Sequence, residues 1–175
     1  MIIRSATLDD TAPITLLIEK SARGLATQDY SLQQVESALK SAWGLDTQLI
    51  KDKSYFVIEN QQQIVACGGW SYRQTLFGND SEQSRDSGIL DPKKSAAKIR
   101  AFFVSPQFSR QGLGSQLMSH CENAARQMGF TKLELMATLP GKKLYEKHGF
   151  IAGESNEYAL NTHLTIQFVP MYKTL

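Results

Sequence analysis

Val104-Ser105-Pro106-Gln107-Phe108-Ser109-Arg110-Gln111-Gly112-Leu113-Gly114-Ser115-Gln116-Leu117-Met118 joins an apolar stretch to an amphipathic one. Upstream, Ile99 to Val104 is short and apolar, the pattern of a strand. Downstream, Leu113, Leu117, Cys121, Ala124, Ala125 and Met128 recur at helical spacing, with Gly129 placed as a C-terminal stop. The loop between them carries Arg110, Gly112 and Gly114. A helix start leaves several backbone N–H groups without intrahelical partners, and the helix dipole adds partial positive charge there. Glycines have no Cβ, so a bulky anion can approach the backbone closely. Arg110 adds a fixed charge with forked donors. The loop therefore reads either as a pyrophosphate cradle or as a plain strand-to-helix turn. It lacks the Gly-Lys-Ser/Thr of a P-loop and the third glycine of a dinucleotide fingerprint.

A second motif, Leu144-Tyr145-Glu146-Lys147-His148-Gly149-Phe150, follows about thirty residues after the first. Together with the Val104-x-Pro106 step and the Arg110 to Ser115 loop, it makes the chain resemble the GCN5-related N-acetyltransferase (GNAT) superfamily. Cys67-Gly68-Gly69-Trp70 and Ala137-Thr138-Leu139-Pro140-Gly141 resemble segments of a bacterial subgroup of that superfamily. The likeness spans nearly the whole chain and is most specific over residues 98–150. One position departs from the pattern. Where the superfamily places Arg or Gln three residues before the first glycine, this chain has Ser109, and Arg110 follows it.

The chain's 175 residues suit one domain over 1–175 with a core that needs no staples. A net charge of +2 and the lack of any basic run argue against nucleic acid as a partner. The N-terminus carries no basic-then-apolar leader, and no stretch approaches the ~20 apolar residues of a membrane span. A cytoplasmic protein is expected. Cys67 and Cys121 read as small buried hydrophobes of a reducing compartment rather than as a disulfide. No metal-ligand spacing appears.

Ile2 to Ala6 reads as a first strand, and Thr7-x-x-Asp10 as a capping box for a helix burying Ile14, Leu17, Ile18 and Ala22. Ser31-x-x-Gln34 starts a second helix, with Leu32, Val35, Leu39 and Ala42 or Trp43 inward. Ser54 to Glu59 and Ile64 to Arg73 form a hairpin, in which Gly68-Gly69 marks either a bulge or a close approach. Residues 74–95 read as a loop insertion, either functional or disordered. Strands over 98–106 and 132–138 enclose the third helix and are therefore parallel. A short helix over 142–148 and strands over 157–160 and 164–169 complete the order. The expected fold is α/β (α+β): a GNAT-like mixed, mostly antiparallel sheet with one parallel pair and helices on both faces.

The resemblance implies acetyl-CoA as co-substrate and no metal. Its diphosphate would sit on Arg110, Gln111, Gly112, Leu113, Gly114 and Ser115, and its pantetheine arm along the backbone of Phe102, Phe103 and Val104. Tyr145 matches the superfamily's general acid, or merely packs on the short helix. A phenol's ordinary pKa of about 10 suits proton transfer to a thiolate. Glu134, on one strand face with Met136 and Thr138, matches a base that acts through water in some relatives, or is simply ion-paired. Trp70 and Tyr72 either line an acceptor pocket or pack in the core. By alternation Arg100 shares a face with Phe102 and Val104, where it can meet a substrate carboxylate. The implied activity is direct acetyl transfer to an amine, either a small molecule (polyamine, amino acid, antibiotic) or a protein lysine or N-terminus. The alternatives are a non-catalytic CoA-binding regulatory module and a purely structural domain. The carboxyl-terminal strands offer a route to a homodimer.

Overall fold

The computed structural model describes residues 1–81 and 88–175. In chain order its elements are β1 (Ile2–Ser5), α1 (Thr11–Leu25), α2 (Leu32–Leu39), α3 (Thr47–Lys51), β2 (Tyr55–Asn60), β3 (Gln63–Ser71) and β4 (Ala97–Val104). They continue with α4 (Leu113–Gln127), β5 (Lys132–Thr138), α5 (Lys142–Lys147), β6 (Ile151–Ala152), β7 (Asn156–Ala159) and β8 (Thr165–Thr174). The strands form one sheet in the order β1-β2-β3-β4-β5-β8-β6, with β7 also paired to β8. Among the described residues only β4 and β5 pair in parallel, and α4 supplies the crossover that such a pair needs. No helix among the described residues is long and apolar enough to cross a membrane.

Both sheet faces are covered. Ile14, Leu17 and Ile18 of α1 and Leu49 and Ile50 of α3 pack on Tyr55, Val57 and Cys67 on one side. Leu113, Leu117, Met118, Cys121 and Ala125 of α4 pack on Phe56, Ile58 and Ile99 on the other. The α4 stripe differs from the expected one at two places. Met118 is fully buried, and Met128 is 48% exposed because the helix has already ended before Gly129 at φ +86°.

Local chemistry explains most boundaries. Ser31 N–H donates to Gln34 Oε1 (2.9 Å) and Gln34 N–H to Ser31 Oγ (3.2 Å), closing the capping box of α2. That helix is shorter than expected, and Leu32 points outward at 62% exposure. The Thr7–Asp10 box caps a single 3-10 turn, Leu8–Asp10, which leads into α1. Gln61 and Gln62 take φ of +48° and +65°, as a two-residue hairpin turn requires. Helix α3, which no periodicity announced, is capped by Asp46 Oδ1 accepting from Gln48 N–H (3.1 Å).

Two irregularities shape β4. It pairs with β5 only at Ala97↔Leu133 and Lys98↔Glu134, although β5 stays paired with β8 as far as Thr138↔Phe168 and β4 with β3 as far as Val104↔Ala66. The two strands therefore diverge into a wedge. Between the pairs Cys67↔Phe103 and Gly69↔Arg100, Gly68 faces both Ala101 and Phe102. The extra residue of this bulge belongs to β4, with Ala101 at φ +54°. Gly68 and Gly69 supply the close approach: a Cβ at Gly68 would lie 2.7 Å from the Phe102 ring, and one at Gly69 2.5 Å from the Ser54 carbonyl.

The expected insertion at 74–95 is partly described; residues 82–87 lie outside the described set. The segment before them is anchored. Asn79 Nδ2 donates to the Trp43 carbonyl (2.9 Å), and Phe77 stacks edge-on against Tyr158 (5.1 Å) and Phe168 (5.9 Å).

Candidate active site

The wedge between β4 and β5 opens into a cavity of about 920 Å³ that continues over α1, α5 and segment 76–78. At one end lies the loop that precedes α4. Ser109 Oγ donates to the Pro106 carbonyl (2.9 Å), closing a 3-10 turn over Pro106–Phe108. Arg110 and Gly112 then take left-handed φ of +62° and +85°, folding the chain onto the helix start.

The two glycines act differently. Gly112 is the N-cap of α4, and a Cβ there would find nothing within 4 Å, so glycine answers to the backbone angle and leaves open space. A Cβ on Gly114 would come within 2.9 Å of Leu144 Cδ2, so this glycine lets α5 pack onto the first turn of α4. The first helical bond runs from Gln116 N–H to the Gly112 carbonyl (3.0 Å). The amides of Leu113, Gly114 and Ser115 consequently have no protein acceptor among the described residues, and all three residues line the cavity. Arg110, Lys143 and Lys147 line it as well. This donor-rich, cationic, open corner fits a diphosphate. Gln111 is the exception among the expected cradle residues. Its Nε2 donates to the Gln107 carbonyl (3.3 Å), and it does not reach the cavity.

Phe102, Phe103 and Val104 line the wedge along β4. Two hydrogen bonds hold their conformation. The Tyr55 hydroxyl, fully buried, donates to the Ala101 carbonyl (2.9 Å) and touches Cys67 Sγ (3.3 Å). Val104 N–H donates to Ser21 Oγ of α1 (3.2 Å). Tyr145, half-buried on α5, packs edge-on against Phe102 (6.3 Å) and Phe150 (6.0 Å) and lines the cavity. Burial pushes its phenol well above the ordinary value, so the proton is retained.

Other expected residues lie elsewhere. Arg100 lines the cavity but is only 3% exposed. Its guanidinium meets Asp46 (3.0 Å) and the carbonyls of Thr75 (3.0 Å) and Gly78 (2.9 Å), so it fastens segment 75–78 to β4. The bulge also places Arg100 on the Phe103 face rather than the Phe102 face. Trp70 is 3% exposed and stacks on Phe130 and Tyr72, both at 6.0 Å, within the core beneath α4. Tyr72 sits below Arg73, 5.3 Å from its ring, and neither aromatic lines the cavity. Glu134 shares a strand face with Met136 and Thr138, yet only those two line the cavity; its carboxylate is ion-paired to Lys98 at the wedge vertex. His148 forms the C-cap of α5.

Sequence reasoning missed Tyr30. Its hydroxyl donates to the Gln167 carbonyl (2.7 Å) and accepts from Leu139 N–H (2.8 Å), which pins the turn carrying Pro140 and Gly141 to the cavity wall. Burial pushes this phenol up to about 12. Its partners lie 109 and 137 residues away in sequence, so no local spacing reveals them. Cys67 and Cys121 are free, fully buried thiols raised by burial, and neither lines the cavity. Among the described residues no group of His, Cys, Asp or Glu is placed to hold a metal ion.

A search of curated proteins by sequence finds no match. Solved structures do match in fold. A GCN5-related N-acetyltransferase from Rhodopseudomonas palustris superposes with a TM-score of 0.72 at 17% identity, covering 99% of this chain and 95% of that one. The PaiA N-acetyltransferase of Thermoplasma acidophilum, solved in complex with coenzyme A, gives 0.67 at 14% identity over 99% and 98% of the two chains. A ribosomal-protein-alanine N-acetyltransferase from Brucella melitensis gives 0.66 at 14% identity over the full length of both. The model of the acetyltransferase (GNAT) family matches residues 21–150, which include the wedge, the cradle and Tyr145. The chain belongs to the GNAT family, enzymes that take an acetyl group from acetyl-CoA.

Proposed function

We propose that the chain transfers acetyl directly from acetyl-CoA to a primary amine, without an acyl-enzyme, and that Tyr145 is the general acid. One juxtaposition carries this reading: the free amides of Leu113 to Ser115, the open edge of β4 and the Tyr145 side chain all border a single cavity. Acetyl-CoA supplies an activated thioester carbonyl. Leu113, Gly114 and Ser115, with Arg110 and Lys143, would hold its diphosphate, and the edge from Phe102 to Val104 would hold the pantetheine arm in the manner of an added strand. Tyr145 Oη is protonated at neutral pH and delivers that proton to the departing sulfur, whose growing negative charge draws it. Amides along β4 stabilise the carbonyl oxygen as charge grows on it.

Direct attack agrees with the placement of the thiols. Both cysteines are fully buried away from the cavity, and burial holds Cys67 up at about 12. Glu134 takes a positioning part in this scheme, since its carboxylate is committed to Lys98. Direct attack requires the amine in its neutral form, with its proton passing to water. The proposal places this work in the cytoplasm, where acetyl-CoA is available.

The test is thiol release from acetyl-CoA with a panel of primary amines, followed by mass analysis for one added acetyl group. A protein that binds coenzyme A in calorimetry yet releases no thiol with any amine is a regulatory module instead.

A further inference from the structure

Strand β5 leaves β8 one rung early, and a side chain from a distant part of the sequence holds the gap. The β5–β8 ladder ends at Thr138↔Phe168. At its other end Leu175 N–H donates to the Thr131 carbonyl (2.8 Å), so the hydrogen-bonded pairs fall on odd residues. The next such pair would join Leu139 N–H to the Gln167 carbonyl. The Tyr30 hydroxyl stands between those two groups instead. It accepts from Leu139 N–H (2.8 Å) and donates to the Gln167 carbonyl (2.7 Å). Tyr30 is itself fixed: it is buried, its ring leans on Trp43 at 5.7 Å, and its amide donates to the Ala26 carbonyl (3.0 Å). The bridge satisfies both strands and keeps them apart by the width of one oxygen.

This spacing reaches the acid two residues later. Gly141, the N-cap of α5, donates its N–H back to the Thr138 carbonyl (3.1 Å) and hydroxyl (3.3 Å). A Cβ on Gly141 would lie 3.3 Å from Tyr145 Cε2, so the turn touches the Tyr145 ring directly. Phe102 and Phe150 also flank that ring, but apolar contacts are non-directional, whereas the bridged rung fixes a distance and an angle. Without the hydroxyl, Leu139 N–H is either left unpaired or drawn onto Gln167, and a phenyl ring keeps water from the vacated place. In both cases the constraint on the start of α5 is lost or moved. We infer, on the reading of Tyr145 as general acid, that Tyr30 is a positioning residue. Acting through the Leu139 amide, it sets where α5 begins and so aims Tyr145 Oη at the thioester sulfur.

The experiment is a double-mutant cycle on kcat in the thiol-release assay, with Tyr30→Phe made in the parent and in Tyr145→Phe. Tyr30→Phe retains the ring that meets Trp43. It should lower kcat about 10–100-fold, the cost of misplacing a reacting group by about 1 Å, with KM for acetyl-CoA within about threefold. In the Tyr145→Phe background the same change should lower the residual kcat by less than about threefold, because the proton donor it aims is already gone. Urea unfolding checks that each variant is folded under assay conditions. Should Tyr30→Phe fail to fold, Gly141→Ala displaces the acid from the other end of the turn: the φ of −79° suits alanine, and the added Cβ meets the Tyr145 ring. That variant should lower kcat about fivefold or more in the parent and less than about twofold in Tyr145→Phe. An unchanged kcat, or an equal fold-loss in both backgrounds, overturns the inference and leaves the acid reading intact. A kcat for Tyr145→Phe within about threefold of the parent overturns that reading, and the inference falls with it.

Discussion

The Tyr55 hydroxyl holds the bulge on which the open edge of β4 depends, and the variant Tyr55→Phe isolates that role. Ala101 adopts φ +54°, a left-handed conformation that costs an L-residue other than glycine roughly 1–2 kcal/mol. Its carbonyl receives the Tyr55 hydroxyl at 2.9 Å from a side chain with no exposed surface. A neutral hydrogen bond contributes about 1 kcal/mol, and a buried carbonyl left without a partner costs about 1–3 kcal/mol. The bond and the strain are thus of similar size, so Tyr55→Phe should lower stability by about 1–3 kcal/mol in urea unfolding at unchanged m. With the bulge loosened, calorimetry should show coenzyme A binding about three- to tenfold weaker. In an Ala101→Gly background the positive φ carries no steric cost. There Tyr55→Phe should leave coenzyme A affinity nearly unchanged, and the stability cycle should show a coupling of about 1 kcal/mol. Additive stabilities together with an unchanged dissociation constant in the single variant would show that Tyr55 only packs, and the argument would fail.

Tyr145→Phe should lower kcat by about 10²–10⁴, the usual contribution of a general acid, while coenzyme A affinity changes by less than about threefold; a kcat within about threefold of the parent removes Tyr145 from the acid role. Glu134→Gln leaves the Lys98 ammonium without its counter-charge, so unfolding should show a loss of about 1–2 kcal/mol while the pH profile of kcat/KM keeps its shape. Loss of that profile's acid limb would return Glu134 to the role of base. The Arg4 guanidinium bonded to Asp10 (2.8 Å) and the Thr7 amide hold the Asp10 carboxyl down at about 2. A depressed carboxylate stabilises the fold above its unfolded pKa near 4, and this contribution fades as pH falls toward 2. Melting temperatures measured from pH 5 to pH 2 should therefore fall less steeply for Asp10→Asn than for the parent, and parallel curves would refute the assignment.

Legibility in the sequence tracked the range of the interaction. The capping box of Ser31 and Gln34, the hairpin of β2 and β3 and the Gly129 stop depend on residues close to one another in sequence, and periodicity or residue type located each. The parallel pairing of β4 with β5 followed from the helix between them. Gly68-Gly69 marked the place of the bulge but not its extra residue, which lies on the facing strand at Ala101, because alanine is an uncommon residue at positive φ and carries no signal for it. That one inserted residue reverses the face of Arg100 relative to Phe102, so alternation aimed the guanidinium at substrate when it faces Asp46. Gly114 shows a different failure. The loop motif was located correctly, but the neighbour that excludes a Cβ is Leu144, thirty residues further on, rather than an anion. Alternation also placed Glu134 correctly with Met136 and Thr138 and still missed its fate. The point where β4 and β5 part is a property of the whole sheet, and Glu134 lies at the vertex.

The wedge poses a physical problem that its own residues answer. An edge opened in the middle of a sheet exposes backbone amides that need acceptors, and an unsatisfied one costs as much as a lost hydrogen bond. The Lys98–Glu134 pair closes the sheet where the last ladder rung ends, so the divergence starts from a fixed point. Three residues later the Ala101 bulge turns the edge, and the Tyr55 hydroxyl meets its carbonyl from β2. At the far end the Ser21 hydroxyl of α1 accepts from Val104 N–H at 3.2 Å. Both groups come from the sheet face that α1 covers, and each satisfies one backbone polar atom of β4. In the proposed binding mode a cofactor arm along β4 would exchange the Ser21 hydroxyl at Val104 N–H for its own carbonyl, a swap of one hydrogen bond for another that costs little net free energy.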